Sequence, residues 1–312
     1  MKSGIIVGYK PKGPTSHDVV EEVRRKLKIR KVGHAGTLDP FAEGVLILGI
    51  NQGTRVLEFY KDKKKIYWVK MKLGVITETF YITGEIVEER DCNVTCEEIK
   101  KTLLSFVGEY LQVPPAYSAR KYKGERLYKL AREGKIIRLP PKKVFIYKIW
   151  DIEIEDDIVS FRVETSPGTY VRSLCMDIGY KLGCGATALE LVRESVGEFS
   201  VDISINVFEA SPEELENSII SLDKTLEWLP ALVITENWIN KILNGNQLFL
   251  EGVSKVKGTF KKGDYVRLID NNGKLIAIAI AERNSKFLET LKRQKRNERI
   301  TKLYKVFKER YE

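Results

Sequence analysis

Gly33-His34-Ala35-Gly36-Thr37-Leu38-Asp39-Pro40-Phe41-Ala42-Glu43-Gly44 is the stretch on which the reading of this chain turns. Three glycines and a proline fix the backbone of a loop, and the apolar run 45–50 follows it as a buried strand. Asp39 stands directly before a proline, which biases its own backbone towards extended conformations. On the loop alone it fits two roles: a turn initiator, or a chemical group displayed from a loop set on a sheet.

Upstream, residues 4–9 read as a strand that Lys10-Pro11-Lys12-Gly13-Pro14 breaks. Thr15 or Ser16 then caps a helix whose Val19, Val20, Val23 and Leu27 share one face. Downstream, 66–73 alternates so that Tyr67, Val69, Met71 and Leu73 point one way, which makes Tyr67 a core residue by default. Thr95-Cys96-Glu97-Glu98 is a capping box opening a helix to about residue 106. Residues 144–162 read as a hairpin turning at Glu155-Asp156-Asp157, 171–182 as a helix and 187–192 as a strand. With no regular βαβ period, the expected fold is α+β: a mixed, largely antiparallel sheet flanked by helices. Beyond Leu229-Pro230 the pattern changes to short strands, with a hairpin at Asp270-Asn271-Asn272-Gly273. The expected domains are therefore 1–230 and a small β-rich, barrel-like module at 231–312.

The 312 residues carry a net charge of +10, and that charge is segregated. Residues 120–148 hold eleven Lys/Arg against two Glu, and 283–310 hold eleven against three. The remainder of the chain is net negative, so a polyanion is the expected partner, nucleic acid or an anionic membrane surface; two solvated charged helices remain the plain alternative. No apolar run approaches a membrane span, and the apolar part of the first seven residues is too short for a secretory signal. Cys92, Cys96, Cys175 and Cys184 read as unpaired thiols, and with His17 and His34 they make no zinc spacing, so no metal is expected.

Arg172 lies in the first turn of its helix, where the helix dipole disfavours a cation unless an anion compensates. That anion is a phosphate or a carboxylate such as Asp39; otherwise Arg172 is simply exposed. His34, between glycines, fits an ordinary loop residue and a base contact equally well. The stretch from Pro114 to Gly124 interleaves Tyr117 and Tyr122 with Arg120, Lys121 and Lys123, suited to stacking bases but equally to a polar loop. Gly183-Cys184-Gly185-Ala186-Thr187-Ala188 matches G-x-G-x-x-A, yet it follows a helix and leads into a strand, the reverse of a dinucleotide site. Walker A, G-x-S-x-G and H-E-x-x-H motifs do not occur.

Together these segments resemble the TruB family of pseudouridine synthases, bacterial tRNA branch. Lys10–Ser16 is similar to its first motif, and 33–44 to its second, G-H-x-G-T-L-D-P-x-A-x-G, whose aspartate falls on Asp39. Tyr67 matches the motif tyrosine that packs against the target base. Tyr117-Ser118-Ala119-Arg120-Lys121 resembles the Y-S-A-x-K segment, and Gly168-Thr169-Tyr170-Val171-Arg172 the motif whose arginine pairs with the aspartate. Leu191 falls at an active-site leucine. One departure is visible: Tyr81 stands where the family commonly carries an Asp.

The resemblance implies an isomerase acting on uridine 55 in the T-loop of tRNA, cytoplasmic, with no cofactor, no membrane and no protein partner, as a monomer. It implies Asp39, Tyr67 and Arg172 as catalytic residues, and His34, Thr37, Tyr170, Leu191, Lys121 and Lys10 as RNA or substrate contacts. A PUA module would fill 231–305. The reaction breaks the N1–C1′ bond and rejoins the uracil through C5, with no redox step or group transfer. A carboxylate at Asp39 suits it, and a partnered Arg172 favours that charge state. Two other classes share these residues: an RNA-folding module without catalysis, and a glycosylase that releases free uracil.

Overall fold

The computed structural model describes residues 2–118, 121–137 and 139–308. The side chains of Lys121, Arg126, Tyr128 and Arg132 lie outside the described part, and with them the expected RNA contact of Lys121.

The chain divides into two compact units. The first comprises 6–48 and 57–218 and is built on one long sheet. Its strand order runs Ile205–Asn206, Gly4–Lys10, Glu43–Ile50, Ala186–Val196, Lys65–Leu73, Ile158–Thr165, Lys142–Glu155 and Gly108–Gln112. From Ala186–Val196 to Gly108–Gln112 every pairing is antiparallel. Glu43–Ile50 joins Ala186–Val196 in parallel, which makes the sheet mixed. The strand Lys65–Leu73 sits in the middle and alternates strictly, burying Lys65, Tyr67, Val69, Met71 and Leu73. Its apolar side packs with Val159, Phe161, Leu174 and Ile178 in one core. Residues 156–157 turn the hairpin between Lys142–Glu155 and Ile158–Thr165, with Asp156 at φ 53°.

Helix Ser16–Leu27 starts on Thr15, whose side chain and that of Asp18 form a capping box, and it buries Val19, Val20 and Val23. Thr95 and Glu98 form the same box ahead of Cys96–Leu104. The short strand Val32–Ala35, paired with Glu43–Ile50, lies inside what reads as loop from the sequence.

The cysteines differ from their sequence reading. Cys92 is disulfide-bonded to Cys184, leaving Cys96 and Cys175 as free thiols. The partners are 92 residues apart, and only the pairing of distant strands brings the turn after Leu182 to the loop before Cys96.

The second unit comprises 219–312 with 1–5 and 49–56, so the compact division falls before residue 230 and recruits two early segments. Its sheet runs Val253–Lys257, Ala231–Ile234, Tyr265–Ile269, Leu275–Ala281 and Thr301–Val306, and no pairing closes it into a barrel among the described residues. Tyr265–Ile269 and Leu275–Ala281 form the hairpin read at 270–273: Asp270 Oδ1 accepts from the amides of Asn272 and Lys274, and Gly273 takes φ 87°. Trp238, Ile242, Leu288 and Leu291, from helices Glu236–Leu243 and Ser285–Arg293, fill its core. No helix of the described residues is long and apolar enough to cross a membrane.

Candidate active site

The Asp39 loop leaves Val32–Ala35 and enters Glu43–Ile50, and it is pinned from three directions. Ser16, buried at the start of its helix, both accepts from the Leu38 amide (2.9 Å) and donates to the Leu38 carbonyl (3.0 Å). The Gly13 amide donates to the Pro40 carbonyl (2.8 Å). Lys10, fully buried, donates from Nζ to the carbonyls of Pro11 (2.9 Å) and Pro40 (3.4 Å). Burial lowers the Lys10 pKa to about 8, with the Asp39 charge acting in the opposite direction. Lys10 thus braces the loop from behind and is not among the residues lining the cleft.

Gly44 has to be glycine. It runs in register with Arg193 at φ 110°, and a Cβ there would stand 2.3 Å from the Arg193 carbonyl oxygen.

Asp39 faces a cleft of about 340 Å³ lined by Thr37, Tyr67, Tyr81, Tyr170, Arg172 and Leu191, among others. Arg172 is the second residue of helix Val171–Leu182 and is buried. Its Nη2 lies 3.1 Å from Asp39 Oδ2, so the anion that its position in the first turn demands is this carboxylate. Arg172 also donates through Nη1 to the Thr79 carbonyl (3.2 Å) and through Nη2 to the Tyr117 carbonyl, tying three loops to one guanidinium. The helix start has no side-chain cap; instead Gln112 accepts from the Tyr170 amide (2.8 Å) and donates to its carbonyl (3.0 Å).

Register sets the other wall. Val69 pairs with Leu191 and Tyr67 with Arg193 across the two central strands, so Tyr67 and Leu191 both reach the cleft from the sheet. Arg193 is buried, donating through Nε to the Val45 carbonyl (2.7 Å) and through Nη2 to the Gly36 carbonyl (3.1 Å).

His34 does not line the cleft. It is half-buried in Val32–Ala35; its pKa is lowered, first by burial and then by the charge of Arg193. Its Nδ1 has no hydrogen-bond partner among the described residues.

Sequence reasoning brings Asp39, Tyr67, Arg172, Thr37, Tyr170 and Leu191 to one cleft, and it misses four contributors. Gln112 acts on backbone groups and carries no motif signal of its own, while Ser16 closes the first motif and reads there only as a candidate helix cap. Arg193 leaves a trace, since alternation places it on the buried face with Leu191. Tyr81 shows only as a departure in a loop.

Comparison with known proteins gives this arrangement its class. Residues 24–171 match the TruB family pseudouridylate synthase N-terminal domain, and 230–303 match the PUA domain. The molecule is a pseudouridine synthase, an isomerase. A protein named tRNA pseudouridine synthase B from Thermotoga maritima is 70% identical over 99% of this chain and 100% of its own length. Its namesake from Thermosipho melanesiensis is 61% identical over 98% of this chain and 99% of its own. The chain belongs to the TruB family. Among solved structures, an H/ACA RNP bound to a substrate RNA containing 2′-deoxyuridine contains a chain similar to this one, 27% identical with a TM-score of 0.75. The match covers 99% of this chain and 86% of that one.

Proposed function

We propose that this protein isomerises uridine 55 (tRNA numbering) in the T-loop of tRNA to pseudouridine, with Asp39 as its catalytic carboxylate. The observation that carries this reading is the Asp39 carboxylate at the cleft, held by the buried Arg172 between Tyr67 and Leu191. The relatives' shared name, tRNA pseudouridine synthase B, supports tRNA as the substrate. The second motif of the sequence, placed in that cleft, supports the T-loop uridine.

In this reaction the N1–C1′ bond breaks, the uracil turns and C5 bonds to C1′; C5 loses a hydrogen and N1 gains one, so the product is an isomer. Asp39 stabilises positive character at C1′ or adds covalently while the base turns. Tyr67 packs on the uracil, Leu191 borders it, and Arg172 maintains the aim of Asp39. The uridine must leave its stack to enter a cleft of this size, and unstacking costs a few kcal/mol. His34, beside the loop, braces the vacated position, while Thr37 and Tyr170 contact the RNA around it. Residues 231–312 hold the T-arm through shape and phosphates, with the basic segment at their end. The protein works as a monomer without a protein partner or organic cofactor.

Asp39→Asn tests the assignment, since it keeps size and loop geometry and removes the charge. Pseudouridine formation on unmodified tRNA should vanish while tRNA binding persists; substantial turnover by the pure variant would remove Asp39 from the chemistry. Free uracil as the product of the wild-type protein would instead identify a glycosylase.

A further inference from the structure

Asp39 Oδ2 has two partners, the ion-paired Arg172 and a hydrogen-bond donor that the family pattern does not supply. The Tyr81 hydroxyl donates to it at 2.7 Å, beside Arg172 Nη2 at 3.1 Å. Both donors converge on one oxygen, and Oδ1 has no hydrogen-bond partner among the described residues.

The placement of Tyr81 is built rather than incidental. Its ring stacks on Phe41, two residues after Asp39, with centroids 4.2 Å apart. The Arg172 guanidinium lies over the same tyrosine ring, 5.0 Å from its centre. The backbone around Tyr81 is fixed by Ala188, which donates to the Phe80 carbonyl (2.9 Å) and accepts from the Ile82 amide (2.9 Å), and by Thr77, whose hydroxyl donates to the Tyr81 carbonyl (2.8 Å). Phe80 takes φ 64°, a left-handed conformation rare for a bulky residue, and that kink precedes the tyrosine it directs inward. Burial, followed by the Asp39 charge, raises the Tyr81 pKa well above 10, so the phenol keeps the hydrogen it donates.

We propose that Tyr81 is a positioning residue for the isomerisation: with Arg172 it holds Asp39 by Oδ2, so that Oδ1 is the oxygen presented to the substrate sugar or base. This rests on Asp39 being the catalytic carboxylate. A lone Arg172 contact leaves the carboxylate free to rotate about its terminal bond; a second donor on the same oxygen from another loop removes that freedom.

Tyr81→Phe deletes the hydroxyl and keeps the ring between Phe41 and Arg172. With full-length protein and unmodified tRNA at saturation, its single-turnover rate should fall about tenfold to a hundredfold, the scale of a charge-assisted hydrogen bond. The melting temperature and tRNA affinity should stay at wild-type values. Tyr81→His, which restores a ring and a donor, should recover part of the rate. A Tyr81→Phe rate within twofold of wild type overturns the proposal. So does a reduced rate accompanied by parallel falls in affinity and melting temperature without recovery in Tyr81→His, because that is the signature of packing alone. Asp39→Asn assayed alongside separates the two ideas: an active Asp39→Asn removes the underlying reading, whereas an inactive one beside a normal Tyr81→Phe removes only the role of Tyr81.

Discussion

Around the cleft, Lys10, Lys65, Arg172 and Arg193 are all buried, and each donates to backbone carbonyls; among the described residues, only Arg172 of these four lies within ion-pair distance of a carboxylate. In the C-terminal unit, Lys286, Arg293 and Lys295 stand exposed on and after the helix Ser285–Arg293. The first group uses charge as geometry, each cation donating to a named oxygen. The second uses charge as a field, which a phosphate backbone feels without a fixed partner. Removing a buried cation should therefore disturb chemistry and stability, and removing exposed ones should disturb only association with RNA.

The largest effect after loss of Asp39 itself should come from Arg172→Ala. It removes the carboxylate's ionic partner and unties three loops. We expect a loss of about 3 kcal/mol, the low end for breaking a buried pair, because the Asp39 side chain is 31% exposed. Activity should fall with it. Chemical denaturation and single-turnover assays read both, and an unchanged midpoint with normal turnover would erase the contrast between the two groups of cations.

Next in size, Lys286, Arg293 and Lys295 replaced together by Gln should weaken tRNA binding. The slope of log affinity against log salt should drop by roughly 0.7–0.9 for each phosphate left without its cation. Single-turnover rate at saturating tRNA should hold. A salt slope equal to wild type would mean that this helix is merely solvated.

The smallest effect concerns pH. The folded-state pKa of Lys10 is about 8, below the roughly 10.4 of an unfolded lysine. Between those values the unfolded chain holds a proton that the folded chain has released, so stability rises with pH across that window; below about pH 8 both states are protonated and the slope disappears. Lys65, likewise lowered to about 8 by burial, acts in the same direction. The melting temperature should climb from pH 7.5 to 9.5, and less steeply in Lys10→Met. Identical slopes would show that Lys10 titrates as if exposed.

What the sequence discloses follows from how local each cause is. Helix 171–182 and the capping boxes at Thr15 and Thr95 are legible because caps and periodicity act over a few residues. The position of Arg172 in the first helical turn calls for an anion but leaves phosphate, carboxylate and plain exposure open, and its pairing with Asp39 is legible through the resemblance to the family's motifs. Lys10 reads as an RNA or substrate contact through the resemblance; only the fold reveals that its breaker cluster turns behind the Asp39 loop and buries it. The Cys92–Cys184 bond is hidden by sheet topology, which no spacing encodes. The reach of Tyr81 depends on one backbone angle at Phe80, a quantity without a sequence signature in a Thr-rich loop.

Ser16 meets both the amide and the carbonyl of Leu38, as a neighbouring strand would, and in doing so it splices the loop onto the first turn of a capped helix. The segment next to Asp39 is therefore coupled to the start of that helix, and the Leu38 amide should exchange with solvent hydrogen more slowly than a free loop amide. On warming, melting of this turn removes one of the three pins of the Asp39 loop, and the aim of the aspartate should loosen with it. The upper working temperature of the cleft is in that sense written into a serine twenty-three positions before the carboxylate.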